Sequence, residues 1–380
     1  MHNIGIGIFG CSEVTKIVVT LLREKGFNVQ AIWGKTKEEA QEYANELKIP
    51  FSTNKIDEVL LRKDVDFSFV LCQPYLHSHI VVKSLGIGKH VLCEKTLGIN
   101  VLDAQKMVHA SEYYPSLINL VNHSLRFLPA FVHMKKAIAE NYIGELSLID
   151  VTVKISTLIH DKFDWLCDDH QGSGCLNLIG SHVIDLCHFL TGKKAKRVHG
   201  IIKTFRHKTQ SIHGIRQITA PDFCNFQLEL EGSPNSQILV TTNIQSNDGY
   251  RNGFEQDVSI VGELGNLKVI GGDLICIRRK AGDDNADYKE EKLYVEIQDM
   301  RTSESSSSIP RQYVKGMSKM FSALKEAFTT PSSNSNWNKE SVAAAANFND
   351  GLYVQQVIEA IKKSSDTRSW IKVETATLKD

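Results

Sequence analysis

Residues 4–15 read Ile4-Gly5-Ile6-Gly7-Ile8-Phe9-Gly10-Cys11-Ser12-Glu13-Val14-Thr15, and the placing of the glycines decides the fold. Gly5, Gly7 and Gly10 have the letters of GxGxxG, but that fingerprint belongs between a strand and a helix. Ile4 to Phe9 is instead one short apolar run, as in a strand buried on both faces. The turn is therefore Gly10 to Thr15. Gly10 allows the tight bend, Ser12 stands where a second glycine would let backbone approach a pyrophosphate, and Glu13 and Val14 lead into a helix whose free amides face an anion. Val14, Ile17, Val18, Leu21 and Leu22 then make one helical face, which Gly26 stops. The turn alone leaves dinucleotide binding open.

Outward from this turn the pattern repeats. Val29 to Trp33, Phe67 to Cys72, Val91 to Cys93 and Leu117 to Val121 read as further strands, with helices at 37–47, 56–61, around Ile80 to Leu85, and 101–110 between them. Strands separated by helices of this length imply right-handed crossovers and a doubly wound parallel sheet. After residue 123 the pattern changes. A helix at 130–140 precedes longer alternating strands at 146–155, 198–205, 223–230, 238–244, 258–261 and 267–270, with a helical piece at 181–190. This predicts an α/β Rossmann domain over 1–123 and an α+β domain over 124–380, the latter with an open, mostly antiparallel sheet and helices on one face. The polar stretch 282–310 reads as a loop with a strand at 293–297, and 340–363 as a last helix packing back at the domain interface.

The 380 residues carry 44 Lys plus Arg against 44 Asp plus Glu, so nothing asks for a nucleic-acid partner. No apolar run approaches the ~20 residues needed to span a bilayer, and the chain opens almost directly into its first strand, so neither a membrane nor a signal peptide is expected. The eight cysteines form no CxxC pair, which points to a reducing, cytoplasmic setting and no metal site. Asn122-His123-Ser124 has the letters of a glycosylation sequon but ends a buried strand.

The second strand ends Trp33-Gly34-Lys35-Thr36, with no carboxylate before Glu38. An NAD site places Asp or Glu here for the ribose hydroxyls. Lys35 and Thr36 suit a 2′-phosphate instead, against the plain alternative of a solvated turn lysine, so a dinucleotide here would be NADP(H).

Several segments resemble the glucose-fructose oxidoreductase/inositol dehydrogenase (Gfo/Idh/MocA) family in that family's order. They are Gln73-Pro74-Tyr75-Leu76-His77, Gly88-Lys89-His90-Val91-Leu92-Cys93-Glu94-Lys95-Thr96, Arg126-Phe127-Leu128-Pro129, Ile143-Gly144-Glu145, Trp165-Leu166-Cys167-Asp168 before Gly172-Ser173-Gly174, and Gly180-Ser181-His182-Val183-Ile184-Asp185-Leu186. The likeness is strongest to the family's animal branch of glucose-fructose oxidoreductase domain-containing proteins. It rests there on Ala31 to Thr36, Leu125 to Phe131, Gly214 to Thr219 with Asp222-Phe223-Cys224, and Ile361 to Ser365.

The resemblance implies NADP(H) held by Gly10, Ser12, Glu13, Val14, Trp33, Gly34, Lys35, Thr36, Cys72, Gln73, Pro74, His77, Glu94 and Lys95. It implies a sugar-like substrate and a homo-oligomer, dimer or tetramer, formed through the second sheet. It makes Lys95 the catalytic electrophile and His182 the acid/base. The family's third catalytic group, an Asp four residues before the His, is Leu178 here, and the proline of its EKP turn is Thr96. Asp168 and Asn177 are the candidate substitutes, and Arg126 a further candidate for substrate contact. Two readings follow: an NADP(H)-dependent oxidoreductase with a degenerate site, and a non-catalytic NADP(H)-binding sensor or scaffold.

Overall fold

In this computed structural model the described residues are 4–209, 211, 216–233, 237–247, 249, 253–279, 287–297, 309–330 and 337–374. The chain divides into two compact units, Met1–Phe127 with Arg301–Leu352, and Leu128–Met300 with Tyr353–Asp380. The chain passes between them after Phe127, Met300 and Leu352. The chain returns to the first unit at residue 301.

The first unit alternates β1 (Gly5–Phe9), α1 (Glu13–Glu24), β2 (Asn28–Trp33), α2 (Lys37–Leu47), β3 (Phe51–Thr53), α3 (Ile56–Leu60), β4 (Phe67–Val70), α4 (His77–Gly86), β5 (His90–Cys93), α5 (Val101–Tyr113) and β6 (Asn119–Val121). All five residues of β1 are buried. Ile6 and Ile8 pack with Val18, Leu22 and Phe69 on one face, while Phe9 packs with Ile80, Val81 and Leu85 on the other. Gly5 and Gly7 lie inside this strand and are glycines for lack of space. A Cβ on Gly7 would sit 2.7 Å from Val59 Cγ1, and one on Gly5 only 1.8 Å from the Asp64 carbonyl oxygen.

The second unit holds α6 (Pro129–Ala139), β7 (Leu146–Ile155), α7 (Ser181–Thr191), β8 (Ala195–Lys203), β9 (Phe223–Leu230), β10 (Leu239–Ser246), β11 (Phe254–Gly262), β12 (Gly265–Ile270), β13 (Asp273–Arg278) and β14 (Lys289–Tyr294). Here β13 is an additional strand, and β14 starts four residues before the expected 293. Residues 280–286 and 298–308 of the polar stretch lie outside the described residues, as do Gly214 and Ile215.

The chain ends with α8 (Arg311–Thr329), β15 (Ala346–Asn347), α9 (Phe348–Thr367) and β16 (Ile371–Lys372). Helix α8 has no counterpart in the sequence reading, although Tyr313, Met317, Met320, Phe321, Leu324 and Ala327 trace a helical stripe, all buried. It packs on the first unit, with Phe321 edge-on to Phe69 at 5.7 Å. This burial groups α8 with the first unit.

The first sheet runs β15-β6-β5-β4-β1-β2-β3 and the second β14-β13-β12-β11-β7-β10-β9-β8-β16. The first is parallel except at β15. The second is antiparallel except where β10 runs parallel to β7. The Ile361 to Ser365 run seals an edge of this second sheet. Ser364 Oγ and Ser365 Oγ accept the Gly200 and Ile202 amides of β8, each at 3.0 Å, beyond the short pairing with β16. Those amides would otherwise form part of an open strand edge. No described helix is long and apolar enough to cross a membrane.

Candidate functional site

The carboxyl ends of β1, β2, β4 and β5 carry the candidate cofactor residues. At Gly10 the backbone takes φ +135°, and a Cβ would lie 2.8 Å from Cys72 N, so only glycine fits. Its amide donates to the Trp33 carbonyl at 2.9 Å, tying the β1 and β2 turns together. Thr15, which the sequence reading passed over, locks the loop: its hydroxyl donates to the Gly10 carbonyl at 3.0 Å and accepts the Ser12 amide at 3.2 Å. Ser12 is extended at φ −160°, which any residue adopts, so serine in place of a second glycine costs no strain. Ser12 and Val14 are half-buried, and Glu13 is exposed beside Lys16 at 3.1 Å. The Thr15 amide is taken by the Ser12 carbonyl at 2.9 Å, and the start of α1 ahead of it suits an anion.

At the β2 turn, a Cβ on Gly34 would meet Cys11 Sγ and Ala40 N at 3.0 Å each. Thr36 Oγ1 accepts the Glu39 amide at 3.1 Å and so caps α2, while the Glu39 carboxylate turns back to accept the Lys35 amide at 2.9 Å. The exposed Lys35 ammonium stands 5.3 Å over the Tyr75 ring, a partner the sequence reading quoted without singling out. Trp33 is buried, and its Nε1 has no hydrogen-bond partner among the described residues. The Gly10 cradle, the open helix end and this orphaned donor fit a dinucleotide.

Between β4 and β5 lies His77, expected at the cofactor. His77 is fully buried, with Nδ1 2.9 Å from the Thr96 carbonyl and Nε2 2.9 Å from the Cys72 carbonyl. Burial pushes its pKa down to about 4, against the pull of those two carbonyls. Both ring nitrogens thus face backbone carbonyls and tie the two turns together. Cys72 and Pro74 are buried beside it, and Gln73 is half-buried.

Lys95 follows β5, and the Lys95–Thr96 peptide is cis. Burial lowers the lysine's pKa, with Glu94 opposing; burial raises that of Glu94, with Lys95 opposing. Glu94 accepts the Asn122 side-chain amide through Oε1 and the Lys95 amide through Oε2 at 3.2 Å. Asn122, which the sequence presents only as a sequon, thus holds the carboxylate next to Lys95. Arg126, expected at a substrate, is buried and ion-paired with Asp350 at 3.3 Å. It belongs to the first unit's interior.

In the second unit Leu176–Gly180 forms a π-helical turn running into α7, which carries the buried His182. Leu178 is half-buried and Asn177 buried. The Asn177 amide donates to the Ser173 carbonyl at 2.6 Å and approaches Asp169 Oδ1 at 3.4 Å. Asp168 accepts the His170 amide at 3.0 Å and the Gln171 side chain at 3.1 Å. Both suggested substitutes for the missing carboxylate are therefore engaged locally. Asp169, which the sequence reading did not single out, sits next to them and pairs with Lys362 at 2.8 and 3.0 Å.

Residues 4–118 match the oxidoreductase family with an NAD-binding Rossmann fold, and residues 131–268 the GFO/IDH/MocA C-terminal domain. The chain belongs to the Gfo/Idh/MocA oxidoreductase family. Mouse glucose-fructose oxidoreductase domain-containing protein 1 is 41% identical over 377 residues, covering 98% of this chain and 93% of the mouse protein. Human glucose-fructose oxidoreductase domain-containing protein 2 is 39% identical, covering 98% of this chain and 94% of its own length. A levoglucosan dehydrogenase in complex with NADH and L-sorbose shares the Gfo/Idh/MocA fold with a TM-score of 0.78 at 18% identity, over 99% of this chain and all of that one.

Proposed function

We propose that the protein is an NADP(H)-dependent oxidoreductase acting at a CH–OH or keto carbon of a sugar, polyol or related compound, through a site that has lost one catalytic group. The observation that carries this reading is Lys95. A lysine at the end of a parallel strand, beside the half-buried Glu94 carboxyl and with a lowered pKa, gives up a proton more readily than a solvated one. Strand ends of such sheets are where ligands bind.

When bound, the nicotinamide would supply or accept the hydride. Gly10, Ser12 and the first-turn amides of α1 would hold its pyrophosphate, and Lys35 and Thr36 its 2′-phosphate. Lys95 polarises the reacting oxygen, and His182 takes or returns the hydroxyl proton. Leu178 can neither accept a substrate hydroxyl nor orient an imidazole, so turnover is slow or the substrate less polar than a typical sugar. The sugar bound by the levoglucosan dehydrogenase supports the substrate class.

Further parts of the same reading are a homo-oligomer and a cytoplasmic setting. On β10 every second residue is buried and the others stay half-exposed, a face suited to a second copy. The eight cysteines are all free.

Leu178 also favours a second reading, a non-catalytic NADP(H)-binding sensor or scaffold. Single-turnover mixing of the NADPH complex with a panel of keto sugars separates the two. The enzyme reading expects bleaching of NADPH absorbance by at least one compound, faster in Leu178→Asp. NADPH that binds, yet is bleached by nothing in either protein, leaves the sensor.

A further inference from the structure

In the first unit, the turn after β2 and the turn after β4 meet through one side-chain pair. The Lys35 ammonium stands over the face of the Tyr75 ring, 5.3 Å from its centre. We infer that Tyr75 is a positioning residue for the 2′-phosphate of NADP(H), which it serves by holding the Lys35 ammonium over its ring. This role rests on the NADP(H) reading of the β2 turn and adds to it the element that makes the lysine selective.

Both partners stand on fixed backbone. On the β2 side the Gly34 amide donates to the Thr53 carbonyl at 3.1 Å, and the Glu39 carboxylate accepts the Lys35 amide at 2.9 Å. On the β4 side Pro74, whose ring fixes its own φ, opens a 3₁₀ turn over Pro74–Leu76. The Leu76 amide closes that turn on the Gln73 carbonyl at 3.0 Å. His77 follows directly, with its two nitrogens 2.9 Å from the Thr96 and Cys72 carbonyls. Tyr75 is half-buried and Lys35 exposed. The lysine's charge is felt at the end of β4, where burial raises the Cys72 thiol to about 12 and Lys35 opposes the rise.

The pair answers a problem that the β2 turn sets for its own lysine. A lysine stem is long and flexible, so a solvated ammonium must be ordered before it meets a phosphate. The same turn also carries Glu38 and Glu39, whose carboxylates compete for the cation. An aromatic face attracts an ammonium through the ring quadrupole without neutralising it. The charge and the donors stay available to phosphate oxygens, and the ordering is done before the cofactor arrives. The phosphate in question is present in NADP(H) and absent from NAD(H). Tyr75 should therefore raise affinity for one cofactor only, whereas a ring stacked on the adenine would serve both.

Calorimetric titration of the full chain with NADPH and with NADH tests this in the unmutated protein and in variants at the two positions. Tyr75→Ala should weaken NADPH roughly two- to fivefold, the range for an exposed cation–π pair, and leave NADH unchanged. Tyr75→Leu keeps bulk but has no ring face, so it should match Tyr75→Ala, and it carries the test if Tyr75→Ala fails to fold. Tyr75→Phe keeps the face and should bind NADPH as the unmutated protein does. Added to Lys35→Ala, Tyr75→Ala should have no further effect, because the pair is already broken. Equal weakening of NADPH and NADH, NADPH affinity that is unchanged or tighter, or an undiminished effect in the Lys35→Ala background would each overturn the proposal. So would a Tyr75→Phe protein as weak as Tyr75→Ala. Equal affinities of the unmutated protein for the two cofactors would instead refute the 2′-phosphate reading itself, and the proposal with it.

Discussion

Acid should loosen the strand that leads to Lys95, and one imidazole sets the amount. His90 opens β5, and its Nδ1 accepts the Ile118 amide at 2.9 Å, so the ring is held as the neutral, Nε2-protonated tautomer. It stacks on Phe67 with centroids 6.3 Å apart and meets the Phe328 ring at 5.2 Å. Burial brings its pKa down from 6.5 to about 4, with the Asp66 carboxylate opposing. A base whose folded pKa is depressed contributes stability that is fully present above the unfolded value and lost as pH falls through the folded one. At ~1.4 kcal/mol per pH unit, the whole gap is worth ~3 kcal/mol, most of it gone by about pH 4.5. His90→Asn keeps an acceptor near Nδ1 and removes the titration. Urea unfolding at about pH 7.5 and about pH 4.5 should show the native protein losing roughly 2–3 kcal/mol more than the variant between the two. His77 titrates in both proteins and cancels in the comparison. Protection of the Ile118 amide against hydrogen exchange should fall with the same profile. Parallel losses in the two proteins, with Ile118 protected throughout, would refute the reasoning.

Three substitutions probe the rest. Lys35→Ala should weaken NADPH roughly 10-fold by calorimetry, as for one charge-assisted contact at an exposed site, and leave NADH almost unchanged. His182→Ala should lower single-turnover hydride transfer by ~10²–10⁴-fold while NADPH affinity stays within about twofold, the signature of lost acid/base work. Phe321→Ala removes a fully buried ring that packs against Phe69 and should destabilise the first unit by about 3–5 kcal/mol in urea, with little effect on hydrogen exchange in the second.

The parallel sheet was legible because strands buried on both faces are continuous apolar runs, and Gly10 because its place at the strand end demands a positive φ. Helix α8 was hidden between polar stretches, and its stripe leans on Met317, Met320 and Ala327, weaker markers than branched aliphatics. The last helix was expected from residue 340, drawn there by the alanines at 343–346. Its true start is set by a reciprocal cap, in which Asn347 Oδ1 accepts the Asp350 amide at 3.0 Å and Asp350 Oδ2 the Asn347 amide at 2.9 Å. That N-x-x-D spacing was in the sequence and lost to helix propensity. Lys95 and Leu178 stood out as site candidates because local motifs frame them. The backbone role of His77 could not be foreseen, because the same letters serve a ring facing a ligand or one facing two carbonyls. Asp169 escaped notice because Lys362, its partner, is 193 residues away.

The central claim is that the β2 turn selects NADP(H) for a hydride-transfer site. Calorimetric titration of the unmutated protein with NADPH and with NADH tests it most directly. NADPH should bind at least about 10-fold more tightly, the gain expected when a cation and a hydroxyl meet a phosphate. Equal affinities, tighter NADH, or no binding of either would contradict the account.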